Sequence, residues 1–295
     1  MSLLWIAVRL AIIVYLIATA ILYILQDAFL LPSSPRVTAL DVGRNAGLDV
    51  QRWLPAGRYA GYVAIPIDRV PRGTVVIYHG NAESAENKLP LATLFGLAGY
   101  RVLIVEYPGY GGRDGARTMK AALAASRSAL SDAKAQWPGP IFLVGESLGA
   151  GMAAQAIAGE ESSVEGVLLI TPWDSLASVA AEKLRVFPVR WMLHHPFDSV
   201  EALKRFEGPV VVIGAANDMT IPVWHAKRLA RLHRHARFLL LPHADHNGWF
   251  NSMTPELWQE ALSWMLQPGL PFARGRAPNP DQIMNPTGSS GGSAI

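Results

Sequence analysis

An α/β architecture, a mostly parallel and doubly wound sheet with helices on both faces, is what the sequence predicts. Short runs of Val, Ile and Leu (TVVIY, RVLIV, IFLV, VLLI, VVVI and FLLL) recur along the 295 residues, bordered by Gly or Pro. Stretches with helical patterning separate them. Strands apolar on both faces belong in a parallel sheet, whose crossover connections lay helices on each side.

From Leu3 to Leu25 the chain reads LLWIAVRLAIIVYLIATAILYIL, with Arg9 as its only charge. A helix of that length covers about 30 Å, the thickness of a bilayer's hydrocarbon, and Arg9 lies near enough to its start to snorkel to the interface. A cleaved signal peptide is the competing reading. It would have a shorter apolar core and a small-residue cleavage site, and Ala18-Thr-Ala20 is followed by more apolar chain (ILYIL). An uncleaved anchor is the expectation. Arg9 and the α-amine favour an inside N-terminus, but Arg36 and Arg44 follow the span, so charge does not fix the orientation.

A connector containing Pro32-Ser-Ser-Pro35 leads to three segments, VTALDV, VQRWLPA and GYVAIPI, expected as antiparallel opening strands. TVVIYHG reads as a buried strand followed by a helix over about Ala85 to Ala98. RVLIVEY precedes a helix over about Thr118 to Gln136. PIFLVGES, GVLLITP, PVVVIGA and ARFLLLP supply further strands, and Thr254 caps a last helix, TPELWQEALSWML. The stretch between Ser175 and Gly208 is too long for a simple crossover, and Phe187, Trp191, Met192 and Phe197 suit a small cap. From Pro268 onward Pro, Gly and Ser dominate without periodicity, the composition of a disordered tail.

Bulk composition excludes some chemistry. With no cysteine there are no disulfides, thiolate metal sites or cysteine nucleophile. A net charge of +3 is too small to suggest nucleic-acid binding without a matching motif. Lys227, Arg228, Arg231, Arg234 and Arg237 recur at near-helical spacing and read as a solvated helix face. His194, His195, His225, His233 and His235 lack metal-ligand spacing and are expected on the surface or cap. The turn Tyr107-Pro-Gly-Tyr-Gly-Gly112 lacks the pattern of a dinucleotide fingerprint.

The stretch VGESLGAG frames Ser147 with Gly145 and Gly149, after an apolar strand and before a small-residue helix. That context is the one a nucleophile elbow requires. The turn projects the Ser147 hydroxyl above the sheet and aims the Leu148 amide, at a helix N-terminus, toward a developing oxyanion. A serine needs a base, and the base a carboxylate, at strand C-terminal ends in the order serine, acid, histidine. Asp218 follows the strand VVVIGA and His246 follows FLLLP. Asp174 in TPWDSL competes as the acid and His243 as the base, while Asp245 is expected to point elsewhere. A second oxyanion donor should come from the loop after TVVIY. The amide of Asn81 suits it best, with Ala82 next, and His79 reads as structural.

Taken together, HGN, EYPGYGG, GESLGAG, TPWDSL, ANDMTIP and DHN resemble the α/β-hydrolase superfamily, in particular its serine hydrolases with one N-terminal membrane span. The resemblance covers about Gly73 to Leu266, with Pro108 standing where many relatives carry Arg. It implies an α/β-hydrolase fold with a short cap, and Ser147, Asp218 and His246 as a triad with Asn81 and Leu148 at the oxyanion hole. The expected organisation is an anchor over residues 1–30, a hydrolase domain over 31–267 with a cap-like insertion at about 176–207, and the tail over 268–295. The expected activity is hydrolysis of carboxylic or thio esters, of lipids or acylated substrates, through an acyl-serine. An aminopeptidase-like amidase and a catalytically silent scaffold are the alternatives. The expected partners are an ester or lipid-like small molecule and the lipid bilayer; no metal, organic cofactor, nucleic acid or obligate protein partner is implied.

Overall fold

A computed structural model of the chain describes residues 3–32 and 47–266. Helix α1 (Leu3–Ile24) and the short α2 (Gln26–Leu30) come first. Strands β1 (Leu48–Trp53) and β2 (Gly61–Pro66) pair antiparallel, as expected for the opening strands. The segment VTALDV and the tail from Pro268 lie outside the described residues. Strand β3 (Thr74–Tyr78) is followed by α3 (Leu89–Leu97), entered through a 3-10 turn at Ala85–Lys88. Next come β4 (Arg101–Val105), α4 (Met119–Gln136), β5 (Ile141–Glu146), α5 (Leu148–Ile157) and β6 (Gly166–Ile170). Between β6 and β7 (Val210–Ala215) lie three short helices, α6 (Leu176–Lys183), α7 (Val189–Met192) and α8 (Ser199–Leu203), where the cap was expected. Helix α9 (Trp224–Leu232), β8 (Ala236–Leu241) and α10 (Pro255–Met265) complete the fold.

The eight strands form one sheet in the order β1-β2-β4-β3-β5-β6-β7-β8. From β4 across to β8 all neighbours run parallel, and β2 is antiparallel to both of its own. Alternate residues of one strand enter different cores: Val76 and Tyr78 join α4 and α5, whereas Val75 and Ile77 join α3 and α10. This two-sided burial explains the unbroken apolar runs, each such side chain contributing about 1.5–3 kcal/mol. Helix α10 buries Trp258, Ala261, Leu262 and Met265, a spacing of three to four residues that keeps one face inward. The Thr118 hydroxyl accepts the Ala121 amide at 3.1 Å and fixes the start of α4.

The N-terminal helices are not independent of the domain. Leu31 is fully buried in the core on the α4–α5 side. The Asp27 carboxylate accepts the Met119 amide at 3.1 Å, placing negative charge at the positive end of α4.

Candidate active site

Ser147 sits at the junction of β5 and α5 with φ 51° and ψ −113°, a conformation unfavourable to any residue with a Cβ. The surroundings hold it there. Its amide donates to the Ile170 carbonyl at 2.9 Å, and its carbonyl accepts the Ala150 amide at 3.0 Å. The flanking glycines are required by backbone contact. A Cβ on Gly145 would strike the Gly149 carbonyl, and one on Gly149 would strike the Tyr78 carbonyl, both well inside contact distance. Helix α5 therefore lies hard against the ends of β5 and β3, which brings the loop after β3 beside the elbow.

The Ser147 hydroxyl lies 2.9 Å from His246 Nε2, and His246 Nδ1 lies 2.6 Å from Asp218 Oδ2. The other carboxylate oxygen of Asp218 accepts the amides of Thr220 and Ile221 at 2.8 and 2.7 Å, which sets its orientation. The loops carrying acid and histidine are tied together: the Ala216 amide donates to the Leu241 carbonyl and the Asn217 amide to the Ala244 carbonyl, both at 2.9 Å. Asp245 does point elsewhere. Its carboxylate accepts the amides of Asn247 and Gly248 at 3.2 and 2.7 Å and shapes the turn that carries His246. His243 is exposed.

Asp174 is turned away from this group. Its Oδ1 lies 2.7 Å from His225 Nδ1, and Oδ2 is paired with Arg228. Burial alone would raise the Asp174 carboxyl, but the bonds from His225 and Arg228 outweigh it and hold the pKa below the usual range. Of the surface or cap expected for His225, it is the cap that it meets: it is fully buried, with Glu182 of α6 3.2 Å from its second nitrogen. Arg228 is not merely part of a solvated face, because it reaches inward to that carboxylate.

The loop after β3 is fixed on several sides. Tyr107 donates its hydroxyl to the His79 carbonyl at 3.1 Å, and Tyr110 to the Asn81 carbonyl at 2.8 Å. Burial pushes the Tyr110 phenol up to about 12, so it remains a donor at neutral pH. The Gly80 amide is taken by Glu83 at 2.9 Å, and the Asn81 side chain donates to the Leu30 carbonyl at 3.3 Å. His79 is fully buried, with Nε2 2.9 Å from Glu106 and Nδ1 2.7 Å from the Gly80 carbonyl. Its role is structural, as the sequence suggests. Across the elbow, Leu148 opens α5, so its amide has no acceptor within the helix.

Sequence reading missed a buried ionic cluster. Lys88, 5% exposed, bonds Glu83 at 2.8 Å and also Glu146, the residue before the serine. Burial depresses the Lys88 ammonium, yet the charges of Glu146 and Glu83 outweigh this and hold its pKa above the ordinary value. The cluster joins the elbow to Glu83, which holds Gly80. Glu146 inside the elbow motif was the available signal, but its partner lies 58 residues away. Among the described residues, no group of three or more His, Asp or Glu is placed to hold a metal ion.

A family model described as serine aminopeptidase, S33, matches residues 69–197, which include Ser147 but end before Asp218 and His246. The uncharacterized protein Rv2307c of Mycobacterium tuberculosis is 30% identical over 177 residues, 59% of this chain and 62% of that one. The human protein ABHD12B is 26% identical over 181 residues, 55% of this chain and 50% of that one. The chain thus spans under two thirds of the length of these relatives. Among solved structures, the esterase Pf2001 of Pyrococcus furiosus superposes with a TM-score of 0.63 at 17% identity, covering 80% of this chain and 98% of the other. The protein TT1662 of Thermus thermophilus gives 0.56 at 18% identity, with 74% and 96% covered.

Proposed function

We propose that this chain, which has the α/β-hydrolase fold, is a hydrolase of that superfamily and cleaves carboxylic or thio esters through an acyl-serine at Ser147. The observation that carries the proposal is the unbroken relay from Ser147 through His246 to Asp218, with contacts of 2.9 and 2.6 Å. His246 Nε2 accepts the serine proton as the oxygen attacks the acyl carbon. Asp218 accepts a hydrogen bond from Nδ1–H, which fixes the tautomer and stabilises the imidazolium that forms. The amides of Leu148 and Asn81 receive the oxyanion, the first aided by the positive end of α5. The imidazolium then protonates the leaving alcohol or thiol. Water attacks the acyl-serine with His246 again as base, releasing the acid and restoring the hydroxyl.

Helix α1 supplies the location. It is 22 residues long with a mean hydropathy of 2.3, and none of it is buried within the protein. We read it as a single membrane anchor joined to residues 31–267 as the hydrolase domain, with the cap at 176–207. An anchored site meets lipid or lipidated esters at high local concentration. A silent scaffold has no need of the relay or of the strained serine. A second reading, amide cleavage at a free N-terminus, is favoured by one observation, the aminopeptidase description of the matching family model.

A panel of p-nitrophenyl esters of graded chain length, run beside aminoacyl p-nitroanilides, tests the proposal. Turnover of the esters that vanishes after fluorophosphonate treatment is expected. Turnover confined to the anilides would move the activity to amides, and turnover of neither, with no labelling, would leave the scaffold.

A further inference from the structure

The cap and the anchor touch far from the end of the anchor. Tyr15 donates its hydroxyl to the Val186 carbonyl at 2.9 Å, and its ring stacks on Phe187 with centroids 5.5 Å apart. Nearer the domain, Gln26 donates its side-chain amide to the Met192 carbonyl at 3.2 Å and accepts the His194 amide at 2.9 Å. Around the Gln26 contact lies an apolar groove, walled by Leu22, Phe29 and Leu30 on one side and Leu184, Met192 and Leu193 on the other.

The depth of the upper contact follows from helix geometry. Only Leu3 to Val14 stand clear of the cap, and twelve residues at 1.5 Å each give about 18 Å, well short of the roughly 30 Å of hydrocarbon. If α1 spans a bilayer, the remaining 12 Å or so must come from the stretch that carries the cap. The chemistry of the cap edge agrees with that depth. Val186 is 72% exposed and Trp191 90% exposed, a large apolar surface to leave in water. A carbonyl in hydrocarbon needs a donor, and the Tyr15 hydroxyl supplies one to Val186. Arg185 and Arg190 lie within the edge and are exposed, with stems long enough to carry their charge up toward lipid phosphates.

We propose that the cap edge from Leu184 to Leu193 is itself a membrane-inserted surface, seated among lipid acyl chains beside the anchor. The inference rests on the reading of α1 as a membrane span. It gives the apolar groove an opening onto hydrocarbon, and Leu30, in its wall, bonds the side chain of Asn81 on the candidate oxyanion loop.

Because the chain contains no cysteine, single labels are unambiguous. Spin labels on Val186→Cys, Trp191→Cys, Ile12→Cys and Ser128→Cys are compared in the full chain, reconstituted in phosphatidylcholine–phosphatidylglycerol vesicles. All four positions are exposed, so substitution removes no core packing. Collision with oxygen and with a water-soluble nickel chelate reports depth. The expected result is chelate access at 186 and 191 several-fold below that at 128, with oxygen access close to that at 12. Full chelate access at 186 and 191 with residue 12 protected overturns the insertion and leaves the anchor standing. Full access at residue 12 as well overturns the anchor, and the insertion with it.

Discussion

His225 holds Asp174 at 2.7 Å, and that contact separates two aspartates which both follow parallel strands at the same end of the sheet. Asp174 is engaged on both oxygens by His225 and Arg228, whereas Asp218 is 2.6 Å from His246. Asp218→Asn is therefore expected to lower kcat by about 10⁴, since the wrong imidazole tautomer would face the serine. Asp174→Asn should leave kcat within a few-fold at temperatures where it stays folded. Steady-state kinetics on a short ester ranks the two, and the opposite order would assign the acid to the loop after β6.

Asp174 should matter to stability instead, and its pH dependence has a definite sign. A carboxyl whose folded pKa is depressed contributes fully above its unfolded value near 3.9, and the contribution is lost as pH falls through the folded value. Replacement by Asn should cost about 2 kcal/mol near neutrality, an upper figure because the partner Arg228 faces solvent and is screened. The gap in unfolding free energy between native chain and variant should hold from pH 7 to 5 and close below pH 4. A gap that widens in acid would contradict the assigned ion pair.

Lys88 is expected to act on turnover without touching substrate. Lys88→Met leaves the buried carboxylate of Glu146 and the half-buried one of Glu83 without their cation, a loss of about 3 kcal/mol. Glu83 also positions the Gly80 amide beside Asn81. Direct loss of an oxyanion donor costs about 10²–10³ in kcat, so a displaced loop should cost about ten- to a hundredfold, with KM little changed. Lys88→Arg should recover part of it. A variant with native kcat and lowered stability alone would confine Lys88 to a packing role.

The contrast between these sites explains what the sequence made legible. Ser147 was readable because the elbow needs Gly145 and Gly149 at fixed spacing, and Asp218 and His246 because each lies within a few residues of a strand end. The strands were readable because burial on both faces leaves uninterrupted Val, Ile and Leu. The Asp174–His225 and Lys88–Glu146 pairings were not. Their partners are 51 and 58 residues apart and are joined only by strand order and helix packing, which no local pattern encodes. The docking of α1 on the cap was hidden for the same reason: Tyr15 and Val186 are separated by 171 residues.

The acyl-serine can be caught by mass spectrometry of the full chain, quenched in acid during turnover of a slow p-nitrophenyl ester. A mass increase equal to the acyl group is expected, mapped by peptide digestion to Ser147, absent from Ser147→Ala and lost on further incubation as water releases the acid. Turnover at full rate in Ser147→Ala, or an acyl group mapped to another residue, would contradict it.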